Sequence, residues 1–79
     1  MSNRISVDEQ ILVSAVRYAL GRRTYIVADT VEAVLRVWVD LSAKARSIIV
    51  RDIESWVGNC DPEDAERWQR IVQVWNADA

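Results

Sequence analysis

The residues that interrupt helices constrain this chain most. Its only two glycines, Gly21 and Gly58, and its single proline, Pro62, each fall at the edge of a stretch whose apolar residues recur at helical spacing. So few turn residues argue against an all-β fold with many tight turns. The punctuation instead divides the chain into four helical segments.

The first spans residues 7–20. Ser6-Val7-Asp8-Glu9 reads as a capping box, in which the Ser6 hydroxyl accepts from the Glu9 amide and the Glu9 side chain reaches back. Ile11, Leu12, Ala15, Val16 and Ala19 form its stripe, and Gly21 supplies a left-handed C-cap. The second spans 25–39, with Val27, Val31, Val34, Leu35 and Trp38 on one face and Asp29, Ala33 and Arg36 pointing away. Its start has two readings: Thr24 caps it, or Tyr25-Ile26-Val27 is extended and Asp29 is the cap. The stripe runs back to Val27 in phase, which favours helix despite the β-branched residues.

Ser42 caps the third helix, 43–57, whose stripe is Ala45, Ile48, Ile49, Ile53 and Trp56 before Gly58 stops it. Asp61 as N-cap, Pro62 at the first helical position, and Glu63 and Asp64 in the first turn announce the fourth, 62–75. Ala65, Trp68, Ile71, Val72 and Trp75 share its face, and the tail from Asn76 to Ala79 is expected to fray. Residues 1–79 therefore read as one all-α domain, a compact antiparallel bundle of four helices on short connections. Trp38, Trp56, Trp68 and Trp75 all fall on inward faces, where large rings enlarge a small core.

The chain has no His and one Cys. That removes His-based triads and His-containing or Cys-rich metal sites, and it excludes an internal disulfide. Cys60 stands among Asp61, Glu63 and Asp64, which would raise its pKa, so a nucleophilic role is not expected. No enzyme, cofactor or metal is expected. No apolar run is long enough to span a bilayer, and Met1 to Gln10 lacks a signal-peptide core, so the expected place is the cytoplasm.

The net charge of -2 hides an asymmetry: residues 1–51 carry eight basic and five acidic side chains, residues 52–79 two and seven. Glu54, Asp61, Glu63, Asp64 and Glu66 form the acidic cluster. Glu63 can pair with Arg67 and Glu66 with Arg70, four residues on. Spaced carboxylates on a rigid helix can imitate a phosphate track, and a solvated helix start accounts for the same residues. Asp52 falls inside the third apolar stripe and needs a partner, for which Arg22 or Arg23 are the candidates. Two arginines beside Tyr25 are too few to sustain useful nucleic-acid affinity. Val13, Leu20 and Val74 lie off the stripes and could seed a dimer contact.

The stretch Ala15-Val16-Arg17-Tyr18-Ala19-Leu20-Gly21-Arg22-Arg23-Thr24-Tyr25-Ile26-Val27 resembles a signature of short helical proteins of phages and mobile elements. Leu41-Ser42, Ile49-Val50-Arg51-Asp52-Ile53-Glu54, and Cys60-Asp61 followed by Trp68 are similar too, so the resemblance runs from Ser6 to Trp75. Within this group it looks most like the anti-CRISPR proteins of the type I-C class. The resemblance implies an inhibitor in the host bacterial cell that binds a basic surface of the Cascade complex and blocks target DNA binding. Glu54, Asp61, Glu63, Asp64 and Glu66 would then supply the contacts. A net charge of -2 departs from strongly acidic DNA mimics, which limits mimicry to a local patch. The alternatives are a phage accessory or regulatory protein acting by self-association or protein–protein interaction, and a small DNA-binding regulator using the Arg22-Arg23 turn; the chain is expected to be a monomer or a weak homodimer.

Overall fold

A computed structural model describes residues 4–21 and 24–77, with 24 and 25 described by backbone alone. Among the described residues four helices form: α1 (Val7–Leu20), α2 (Thr24–Val37), α3 (Ala43–Trp56) and α4 (Pro62–Ala77), with 3₁₀ turns at Trp38–Asp40 and Val57–Asn59. The start of α2 at Thr24 makes Tyr25-Ile26-Val27 helical, in keeping with the phase of the stripe. Helix α4 continues through Asn76 and Ala77, while Asp78 and Ala79 lie outside the described residues.

The capping signals operate as local chemistry requires. The Glu9 amide donates to the Ser6 hydroxyl at 3.1 Å, and the Ser6 amide donates to the Glu9 carboxylate at 3.0 Å. The Ala45 amide donates to the Ser42 hydroxyl at 3.1 Å. Gly21 does not take the expected left-handed cap. Its φ is -96° and its amide turns back to the Tyr18 carbonyl at 3.3 Å, so the chain leaves α1 in a conformation open to any residue.

Two contacts set the directions of α1 and α3. Glu9, at the start of α1, accepts from the amide of Ser42, the α3 cap, at 2.6 Å. Arg17, in the last turn of α1, meets Asp52 far along α3 at 2.7 Å. The two helices therefore run parallel. Trp38 just beyond α2 and Trp75 near the end of α4 stack edge to face, with centroids 6.4 Å apart and planes at 88°, so α2 and α4 run parallel as well. The most extensive packing joins α2 to α4 and α1 to α3, and next come α1 with α2 and α3 with α4. Consecutive helices reverse direction, yet α2 and α3 do not form a packed pair. The bundle is two antiparallel αα-hairpins laid side by side, 40 × 24 × 22 Å in extent.

The shared core takes Val16 and Leu20 from α1, Val27, Val31 and Val34 from α2, and Ile49 and Ile53 from α3. Trp68 and Ile71 from α4 complete its centre. Three expectations fail here. The buried face of α1 is Val13, Val16, Ala19 and Leu20, with Leu12 half-buried, while Ile11 is 64% exposed and Ala15 is exposed. Helix α1 is apolar on two faces, and Glu9 and Arg17, both tied to α3, select the one that turns inward. Val13 and Leu20 are accordingly core residues, closed to a surface contact, and Val74 packs half-buried against the core. Trp56 is 52% exposed, because α3 gives way there to a 3₁₀ turn beyond the edge of the core.

Candidate functional site

The functional residues expected from sequence gather around the corner between α3 and α4. Helix α3 ends at Trp56, the 3₁₀ turn follows, and Cys60 and Asp61 lead into Pro62 at the start of α4. Asp61 sits at the cap position, where its carbonyl accepts from the Ala65 amide at 2.8 Å. Asp61, Glu63 and Glu66 are exposed on the outer side of this corner.

Asp64 is different. It is 3% exposed, and its carboxylate takes a hydrogen bond from Arg67 at 3.1 Å. The same guanidinium stands 4.0 Å from Glu63, so the expected Glu63–Arg67 pair forms only as the outer arm of a shared contact. A buried carboxylate holding an arginine fixes local geometry and is not offered to a partner. Glu66 and Arg70 form no ion pair within 4.0 Å among the described residues, although both border one shallow groove with Glu63 and Arg67. Glu54 is exposed on α3 and lines neither that groove nor the depression beside Trp56.

Asp52 pairs with Arg17, a partner on α1 that sequence spacing did not indicate; Arg22 and Arg23 lie outside the described residues. The proposed nucleic-acid turn, Arg22 to Tyr25, falls on the same segment. Arg46 is a second residue missed from sequence. It donates from Nε to the Trp38 carbonyl at 2.9 Å and to the Val39 carbonyl at 3.1 Å, and its guanidinium lies 5.6 Å from the Trp38 ring centroid. It thereby closes the end of α2 and covers an aromatic ring.

Cys60 is half-buried at the base of the corner. Its thiol lies 3.8 Å from the Leu20 carbonyl and 3.6 Å from the Trp56 carbonyl. Burial, and then the negative charges of Asp64 and Asp61, push the thiol above its ordinary pKa. A thiol held protonated is a poor nucleophile. Among the described residues no cluster of Cys, Asp and Glu is arranged to hold a metal ion, and no helix is long and apolar enough to cross a membrane.

Around Cys60 lies a depression of about 270 Å³, walled by Leu20, Gly21, Trp56, Asn59 and Asp61 with Asp64 at its base. An exposed tryptophan beside carboxylates on a rigid helical corner is a surface suited to binding, since tryptophan is enriched among residues that carry interface energy. No family model, curated protein or solved structure matches this chain.

Proposed function

We propose that the protein is a small binding inhibitor of the anti-CRISPR kind, which covers a basic DNA-binding surface of the type I-C Cascade. The observation that carries this reading is the α3–α4 corner, where exposed Trp56 stands beside Asp61 and the outward carboxylates of Glu63 and Glu66 continue along α4. The ring supplies desolvated contact area and the carboxylates supply complementarity to lysine and arginine. Glu54 adds an exposed carboxylate on α3, while Asp64 and Arg67 pair at the start of α4. The reading requires neither a catalytic group nor a cofactor.

Its test is a gel shift of target duplex with purified type I-C Cascade, with and without the protein premixed. The expected result is loss of the shifted band, weakening as salt is raised. Replacing Glu54, Asp61 and Glu66 with lysine should restore the band while circular dichroism shows the helices intact. An unchanged band with competent Cascade rejects the reading.

A second reading, a phage accessory protein that self-associates, is favoured by a different face. Val7, Ile11, Ala15 and Tyr18 follow one another at helical spacing on the solvent side of α1, opposite Val16 and Leu20. Sedimentation at millimolar concentration distinguishes the two: a dimer abolished by Ile11→Glu supports this reading, and a monomer throughout removes it.

A further inference from the structure

The depression beside Trp56 combines features that no acidic patch has by itself. Leu20 and Trp56 are the last residues of α1 and α3, and their carbonyl oxygens both face the Cys60 thiol. Two helix C-termini therefore converge on one spot. The carbonyl end of each helix carries partial negative charge, and Arg17 in the last turn of α1 is engaged by Asp52. The last turn of α3 contains no basic residue to offset it. The start of α4 opens at the same place with the opposite sign, which the Asp61 carboxylate at the cap position and Glu63 and Asp64 in the first turn, both shared with Arg67, offset. Burial first, and then the charges of Asp64 and Asp61, raise the pKa of the Cys60 thiol, so it stays protonated between the two carbonyls.

The walls add shape. Trp56 lines one side and is half exposed, Asp61 stands at the mouth, and Asp64 lies at the base. The volume of about 270 Å³ is several times the roughly 30 Å³ share of one water, so a side chain can enter. Carbonyls and carboxylates beside an indole are complementary to a flat cation with several N–H donors. A guanidinium fits this description better than an ammonium, because it stacks on an aromatic face and donates along more than one direction.

We propose that the depression between the C-termini of α1 and α3 is a pocket for an arginine side chain presented by a protein partner. It rests on the inhibitor reading above and gives that surface its anchor. The guanidinium stacks on Trp56, donates to the Asp61 carboxylate, and lies over the carbonyl ends of the two helices. Asp64 remains bonded to Arg67 and acts only through its charge.

The experiment is a ¹H–¹⁵N NMR titration of the full chain with N-acetyl-arginine amide, with N-acetyl-citrulline amide as its uncharged counterpart. The expected result is a saturable shift of the Trp56 indole N–H and of the Asn59 to Asp61 amides, with citrulline binding roughly tenfold more weakly. Trp56→Ala and Asp61→Asn should each weaken binding roughly fivefold, read from the Asn59 and Cys60 amides. Both positions are on the surface, and the spectrum itself reports whether the variants fold. An equal response to citrulline, an equal response to N-acetyl-lysine amide, or shifts centred on the groove lined by Glu63, Glu66, Arg67 and Arg70 would overturn the proposal. No Cascade is present, so failure here leaves the gel shift to judge the inhibitor, and failure of the gel shift leaves this pocket standing or falling by titration.

Discussion

Trp56 and Trp68 show how differently one residue type is used within a single chain. Trp68 is wholly buried, and its indole N–H, like that of Trp38, has no acceptor among the described residues. An unpaired buried donor costs about 1–3 kcal/mol, which the burial of the ring outweighs. Trp68→Ala should cost about 3–5 kcal/mol, a large part of the stability of so small a domain. Urea denaturation followed by circular dichroism should show a midpoint near zero denaturant or no folded baseline. Trp56→Ala should stay within about 0.5–1 kcal/mol of the parent in the same experiment, because the ring is half in water already. Helical spacing places both rings on inward faces. Spacing carries no information on where a core ends, so the exposure of Trp56 was not legible. The same limit hid the burial of Asp64, which the sequence groups with its exposed neighbours. Partners 35 residues apart, such as Arg17 and Asp52, leave no local trace either.

At the scale of the helix, Glu9 has the widest reach. Its carboxylate accepts from the Ser6 amide, the Ser42 amide and the Ser42 hydroxyl, so one side chain caps α1 and fastens the start of α3. The Ser42 amide, and after it the Ser6 amide, hold the Glu9 carboxyl below its ordinary value of 4.5. The unfolded chain therefore takes up the Glu9 proton at higher pH than the folded chain does. The linked stability is complete above about pH 4.5 and is lost as pH falls further through the lowered folded value. Glu9→Gln should lower the melting temperature at neutral pH and should flatten its fall below pH 4.5, as measured by thermal melts across an acid series. Ser42→Ala, which removes one cap and one donor to Glu9, should cost about 1 kcal/mol. Much of this level was legible. The starts of α1, α3 and α4, the capping box and the buried face of α2 follow from spacing and cap chemistry, while the start of α2 allows two readings and lies at Thr24. The face of α1 did not, because Ile11 and Ala15 continue one apolar stripe while Val13 and Leu20 lie on another. Only contacts with α3 decide between them.

For the molecule as a whole, the expectation of four helices in one all-α bundle agrees with the structure, and the arrangement of those helices is the part that the sequence withheld. Short connections imply that consecutive helices reverse, which they do. They do not say that α2 and α3 will lie apart while α1 finds α3 and α2 finds α4. The apolar stripe left outside on α1 bears on behaviour in solution. If it mediates self-association, the melting temperature should rise with protein concentration for the parent chain and stay constant for Ile11→Glu. A concentration-independent melt for both would assign the stripe to neither stability nor assembly.

The side-by-side hairpins also decide when this chain can fold. The bonds that join one hairpin to the other span 33, 35 and 40 residues. Contacts that distant form late, because the intervening loop must close before they contribute. When α1 and α2 emerge from the ribosome, they have each other but no cover for Val16 or Val31. The partners they lack lie on α3 and α4, and core residues there such as Ile49, Trp68 and Ile71 are among the later ones made. The first half of the chain must therefore wait, with apolar surface open to water or to a chaperone, until α4 has been synthesised.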